Sequence, residues 1–355
     1  MTDLVIAGLG NIGLPFAEFV ARAPGIRRVA LVDPDVFTDR NISFQLASGK
    51  DVGHPKVDVV AERIAAINPA LSVESHHCRL EHTPRATFRD RIIASCLDSR
   101  NARAALSEIS WAVSAPLWLD AGVRPDGRLA RVSVAFPAEG SSAGVCCGWS
   151  PRDWALAASE YSCAGTAATR ATRAPAFLGA TAASLMVHML ERFVAGVMIP
   201  QAEAETRTIS LDSHRSWTTV VRRNPGCRCT HRAWNIEQLN RAADVCTLSE
   251  LVNKGSLALP GMPMARNLRC ECGSVRRTIY VAGRVSKAFA RCECSRQMSI
   301  GALDLIDEIS LSALEDLGPE TPALTLADIG VSKGDIIRLG DRHFEVGVST
   351  TGMPS

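Results

Sequence analysis

A short apolar run at residues 4–7 ends in Gly8-Leu9-Gly10-Asn11-Ile12-Gly13, and residues 14–22 then follow a helical pattern. A strand that turns on glycines into a helix leaves few options. The first glycine allows the tight turn, the second lets backbone approach a phosphate, and the third lets helix and strand pack closely. The pattern continues in the same rhythm. Residues 29–32, 71–75, 92–95 and 117–121 read as strands, and residues 57–67 and 102–110 as helices. This alternation predicts a mostly parallel sheet with helices on both faces. Residues 128–136 alternate as another strand, 137–175 form a long Gly-, Ser-, Ala- and Pro-rich loop region, 176–195 are helical, and 200–235 are polar strands and loop.

The composition shifts near residue 236, so two domains are expected, 1–235 and 236–355. Within the second, residues 324–331 read as a short helix and residues 335–346 as two strands, forming either a partner-docking module or a structural cap. With 46% apolar and 21% charged residues the chain has a globular balance. A formal charge of +2 gives no electrostatic case for nucleic acid as the main partner. No apolar run is long enough for a membrane span, since 176–199 is broken by His188, Glu191 and Arg192. No targeting segment is visible, so a cytoplasmic protein is expected. In that compartment twelve cysteines point to metal or thiol chemistry rather than disulfides.

Asp33 ends the second strand, where an acid can hold a ribose. On the glycines and this acid alone the site reads as NAD-binding. The residues that follow change that reading: Asp33-Pro-Asp35, then Asn41-Ile-Ser-Phe44-Gln45, Gly53-His-Pro-Lys56, Ile67-Asn68-Pro69, and Ser95-Cys96-Leu97-Asp98 at the end of a further strand. This series resembles the superfamily of ubiquitin-activating enzymes and their bacterial relatives ThiF, MoeB and HesA, well over residues 4–123 and loosely over 176–229. The resemblance implies an α/β fold with a Rossmann-like sheet that binds ATP and Mg²⁺. Gly8, Gly10, Gly13, Asp33, Asp35, Asn41, Gln45 and Lys56 would line the nucleotide, with Asp33 on the ribose and Lys56 on the phosphates. Asp98 would ligate Mg²⁺. Independently, adenylating a carboxylate brings two anions together, and a lysine with a divalent cation is suited to screen them. One position departs from the family pattern Asn-x-x-Arg-Gln: Phe44 stands where the arginine would be. The family's N-terminal segment with a further phosphate-binding arginine is also not seen ahead of the first strand. Arg40, Arg100, Arg103 or a partner subunit could supply the charge; a disabled adenylation site is the competing expectation.

Cysteines mark three further places. Relatives in the superfamily hold a structural zinc with two Cys pairs, and Cys146-Cys147 and Cys227-Arg-Cys229 stand where those pairs would be, with His231 able to replace one ligand. Cys163, in the loop at 137–175, stands where relatives carry the cysteine that takes a thioester; Arg170 and Arg173 are near enough in sequence to favour its thiolate. The other reading of Cys163 is a zinc ligand or an inert small residue. Cys270-Glu-Cys272 and Cys292-Glu-Cys294 flank a strand at 278–281, the layout of a zinc ribbon, and read as an independent zinc site. A redox pair, or a pair completing the Cys227/Cys229 site, is the alternative. Cys78, Cys96 and Cys246 sit in apolar patterns and are expected to be buried.

The function implied is activation of a ubiquitin-like protein: adenylation with ATP and Mg²⁺, capture as a thioester on Cys163, and hand-over to a conjugating-enzyme-like partner, in a homodimer. A sulfur-carrier adenylyltransferase of thiamine or molybdopterin type and a non-catalytic scaffold are the alternatives.

Overall fold

The computed structural model describes residues 2–126, 128–139, 143–159, 174–316 and 323–347. The chain divides into two compact units, 1–83 with 87–233, and 84–86 with 234–355.

In the first unit the elements run β1 (Thr2–Ala7), α1 (Gly13–Val20), β2 (Ile26–Val32), α2 (Asp39–Ile42), α3 (Lys56–Ile67), β3 (Ser72–His76), β4 (Ile92–Ser95), α4 (Arg100–Ala112), β5 (Trp118–Arg124), β6 (Leu129–Ala135), α5 (Pro151–Ser159), α6 (Ala176–Val194), β7 (Ala204–Ser210) and β8 (Arg215–Val221). Eight strands form one sheet in the order β3-β2-β1-β4-β5-β6-β7-β8. The first five are parallel, with Ala7 opposite both Val32 and Ser95, and the last three pair antiparallel. The strand order reverses between β1 and β4, and such a reversal opens a crevice beyond the carboxyl ends of the strands. Both faces are covered, which explains why β4 is buried throughout. On one face Leu4, Ile6, Leu31 and Ile92 pack with Phe16, Ile64, Leu178 and Met186 of the helices. On the other, Val5, Ile93 and Trp118 pack with Leu106 and Ile109 of α4.

Two details differ from the sequence expectation. The region 137–175 is not all loop, because α5 lies inside it. The Asp153 carboxylate accepts the Ser150 N–H at 3.0 Å and the Ser150 hydroxyl at 2.7 Å, and Pro151 occupies the first helical position. Among the three cysteines expected in apolar surroundings, Cys96 and Cys246 are buried, whereas Cys78 is partly exposed with its sulfur 3.4 Å from the Thr83 hydroxyl.

The second unit contains β9 (Ile236–Gln238), α7 (Leu248–Val252), β10 (Leu257–Ala258), β11 (Met264–Arg269), β12 (Val275–Val281), β13 (Leu305–Ile306), β14 (Glu308–Ile309), α8 (Leu311–Glu315), β15 (Ile336–Leu339) and β16 (Arg342–Glu345). They make a five-stranded sheet, β14-β10-β15-β16-β9, and a three-stranded one, β12-β11-β13. Leu257, Met264, Val281, Leu326, Ile329 and Ile337 are fully buried in one core. Asp335, also fully buried, is fixed by Arg284 at 2.7 Å and by the Ser332 N–H at 2.7 Å. The helix expected at 324–331 is a run of turns. Asp328 accepts the Thr325 N–H and hydroxyl, both at 2.8 Å, and Gly330 adopts φ +85°, so local side-chain bonds and a left-handed residue replace the helical ladder.

Candidate functional site

The crevice at the β1/β4 reversal is built on the glycine turn. Gly8 has φ +88°, and a side chain on it would meet the Cys96 carbonyl oxygen at 2.8 Å. A side chain on Gly13 would meet the Gly8 carbonyl oxygen at 1.8 Å, so the third glycine is what lets α1 begin directly against the turn.

A continuous chain of contacts runs from this turn to the lysine. Asp33, almost fully buried at the end of β2, accepts the Leu9 N–H at 2.6 Å and the Asp35 N–H at 2.8 Å. Burial pushes the Asp33 carboxyl above its usual range, against the opposing pull of Lys56 and the two N–H groups. The Asp35 carboxylate, largely exposed, pairs with the Lys56 ammonium at 2.8 Å. Lys56 opens α3, is 5% exposed, and its ammonium lies 5.9 Å from the Phe37 ring centre. Gln45 lies over Gly10, with its Nε2 3.6 Å from where a Gly10 side chain would begin. Its Oε1 is buried without a hydrogen-bond partner among the described residues, which marks a place for a donor from a ligand. Asn41 spends its oxygen locally, accepting the Thr38 N–H at 2.8 Å and hydroxyl at 3.0 Å. Asp98 is exposed, just beyond the carboxyl end of β4.

The candidate replacement arginines separate. Arg103 donates to both Asp120 oxygens, at 2.5 and 2.6 Å, and to the Leu97 and Ala121 carbonyls, so it holds β4, β5 and α4 together. Arg100 lies 3.5 Å from Asp153. Arg40, on α2, is exposed and has no salt-bridge partner among the described residues.

Two cysteine groups assemble, one in each unit. In the first, ligand atoms of Cys146, Cys147, Cys227 and His231 all lie within 4.8 Å of one another. The His231 Nε2 is 3.2, 3.6 and 3.4 Å from the three sulfurs. Zinc with Zn–S of about 2.3 Å and Zn–N of about 2.1 Å sets S···N edges of about 3.6 Å, so the donor set fits a tetrahedral zinc. His231 stands among the expected ligands, in the place the sequence allowed it to take from one cysteine. His231 adopts φ +49°, which turns its ring onto Trp111, with centroids 4.3 Å apart, and toward the sulfurs. Cys229 is a buried fourth thiol beside the group, interacting with Cys146 and Cys227. Contact with Cys146 pulls the Cys227 thiol down to about 5. Burial disfavours a charged His231, but the neighbouring Cys147 and Cys227 outweigh it and raise the imidazole to about 9. Adjacent Cys146 and Cys147 reach the same point because they lie in a tight 3₁₀ turn, 145–148.

In the second group Cys270, Cys272, Cys292 and Cys294 also lie within 4.8 Å of one another. Cys163 lies outside the described residues, as do Arg170 and Arg173. Sequence reading passed over Trp111, the ring on which His231 stacks; an aromatic on a buried helix carries no sequence signal of that role.

The ThiF family model matches residues 2–230. Molybdopterin-synthase adenylyltransferase from Salmonella typhimurium is 26% identical over 129 residues, which is 36% of this chain and 51% of that protein. The tRNA threonylcarbamoyladenosine dehydratase of Bacillus subtilis is 42% identical over 73 residues, 20% of this chain and 28% of that one. The chain thus spans about half or less of the length of these curated relatives. Among solved structures, MccB of E. coli with succinimide superposes with a TM-score of 0.52 at 20% identity, covering 64% of this chain and 66% of MccB, a likeness of fold. With its glycine turn, reversed strand order and match over residues 2–230, the chain belongs to the ThiF family.

Proposed function

We propose that the chain adenylates the C-terminal carboxylate of a ubiquitin-like protein with ATP and Mg²⁺. The observation that carries this reading is the contact chain Leu9–Asp33–Asp35–Lys56, which ties a buried ammonium to the glycine turn. A carboxylate oxygen of the small protein attacks the α-phosphorus of ATP, the bond to the β-phosphate oxygen breaks, and pyrophosphate leaves. Asp33 accepts ribose hydroxyls. Lys56, released from the exposed Asp35, screens the phosphates, and Gln45 takes a hydrogen bond from the nucleotide. Asp98 holds Mg²⁺, and Arg40 supplies the positive charge that Phe44 does not.

The second step is capture of the acyl group. The Cys163 thiolate attacks the mixed anhydride, a thioester forms and AMP leaves. A conjugating-enzyme-like protein then accepts the acyl group, and the chain works as a homodimer. Zinc in the group Cys146, Cys147, Cys227 and His231 serves structure. The names of the relatives favour a second reading, in which the adenylate of a sulfur carrier is the product that matters and no thioester forms on Cys163.

The test follows nucleotide and thiol together. The purified chain is incubated with ATP, Mg²⁺ and lysate of its source organism, and its intact mass is measured beside Cys163→Ala and Asp98→Ala. An ATP-dependent, thiol-labile adduct of small-protein mass, absent from both variants, is the expected result. Pyrophosphate release that persists in Cys163→Ala with no adduct in the wild type favours the sulfur-carrier reading. Stabilisation by NAD and not by ATP with Mg²⁺ overturns both.

A further inference from the structure

The two Cys-Glu-Cys segments of the second unit are the same turn built twice. The Cys270 N–H donates to the Ser274 carbonyl at 2.9 Å, and the Gly273 N–H donates back to Cys270 at 3.0 Å. The Cys292 N–H donates to the Arg296 carbonyl at 2.9 Å, and the Ser295 N–H donates back to Cys292 at 2.8 Å. The residue after each second cysteine is left-handed, Gly273 at φ +91° and Ser295 at φ +67°. In both turns the first cysteine is buried and the second exposed. Each turn therefore presents two sulfurs in the same way, and the two face each other: Cys270 to Cys294 is 3.5 Å and Cys272 to Cys292 is 3.7 Å. The sulfur edge of a zinc tetrathiolate, with Zn–S of about 2.3 Å, is about 3.8 Å.

β12 between the two turns is anchored by Ile279 and Val281 in the larger core, but the turns themselves have little such support. Their buried cluster is Leu268, Cys270, Ala290, Cys292 and Met298, so two of five members are the cysteines themselves. The segment is closed at its base by paired backbone bonds between Arg269 and Ser299, each 2.8 Å, and Arg276 of β12 reaches the carbonyls of Phe289 and Arg291. Burial on this scale does not offset the entropy of ordering the two turns.

We propose that Cys270, Cys272, Cys292 and Cys294 bind one zinc ion, and that this ion, rather than an apolar core, holds the two cysteine turns, 270–274 and 286–298, folded. Zinc suits four thiolates because it is closed-shell, accepts soft sulfur and prefers tetrahedral geometry. Two of its ligands face solvent, so a chelator can reach it. The inference is independent of the nucleotide reading.

The test uses the full chain. Zinc content is measured by mass spectrometry for the wild type and for Cys272→Ser with Cys294→Ser, alongside limited proteolysis. The double variant is expected to lose one zinc equivalent and to become cleavable within 270–274 and 286–298, while residues 1–233 stay protected. Cys272→His, which keeps a ligand for zinc, is expected to retain the metal. Should the double variant not fold, the wild type alone decides: a chelator should free four thiols for titration and expose the same turns. Four freely reactive thiols in the untreated protein, equal zinc in wild type and double variant, or iron in place of zinc would overturn the proposal.

Discussion

The two cysteine groups use the same atoms in opposite settings. Cys146, Cys147, Cys227 and His231 lie against a large sheet whose two faces are already filled by long runs of buried aliphatic and aromatic side chains. Cys270, Cys272, Cys292 and Cys294 lie at turns beside a three-stranded sheet, with only Leu268, Ala290 and Met298 buried around them. On the proposal above, a metal in the first setting would pin loops to a fold that stands without it, and a metal in the second would hold the two cysteine turns together. The difference is one of how much apolar area each segment buries by itself, not of ligand chemistry.

The sharpest way to break this comparison is to remove one ligand from each group. His231→Ala should cost one zinc equivalent and a few degrees of melting temperature, with ATP binding intact; Cys272→Ser with Cys294→Ser should unfold both cysteine turns. If His231→Ala abolished nucleotide binding, the first group would be as fold-determining as the second. Next in size is Asp335→Ala. It leaves the Arg284 guanidinium without its buried carboxylate, and losses of about 3–5 kcal/mol follow from breaking such pairs. Chemical denaturation should show the second unit unfolding alone, leaving the eight-stranded sheet in place.

A pH titration sharpens the same contrast. Arg269, with help from Asn267, holds the Asp304 carboxyl down at about 2. Because the folded state favours the ionised form, this contribution is complete above the unfolded value of about 3.9 and is lost as pH falls toward 2. Asp304→Asn should flatten the acid-side loss of protection around β11 and β13 in hydrogen exchange, and leave β1 and β4 unchanged. The smallest effect is expected from Ser295→Gly. It relieves a left-handed residue that the equivalent turn fills with Gly273, so it should raise stability by about 0.5–1 kcal/mol without changing zinc content.

Much of the nucleotide crevice was legible in the chain. The glycine spacing and the acid at the end of the second strand state their geometry locally, because a tight turn and a strand end are set by neighbours in sequence. The helix at Pro151–Ser159 was also written there, in Ser150-Pro151-Arg152-Asp153, but the surrounding small residues drew attention away from it. Other outcomes had no local signature. Nothing near Arg103 in sequence announces that Asp120 will take it from the candidate phosphate cations. Nothing near Cys229 says that its neighbour His231 will turn back onto Trp111 and toward the sulfurs.

The sequence by itself determined the alternating strands and helices, the glycine turn with Asp33 beside it, and the paired Cys-Glu-Cys turns, since each depends on residues a few positions apart. Only the tertiary structure decided which arginine remains available near the crevice, which four donors meet in the first cysteine group, and that Gln45 is left with a buried oxygen over Gly10. These are matters of which side chain reaches which partner across distant segments, and burial, which makes an unmet hydrogen bond or charge expensive, settles them only once the sheet has brought those segments together.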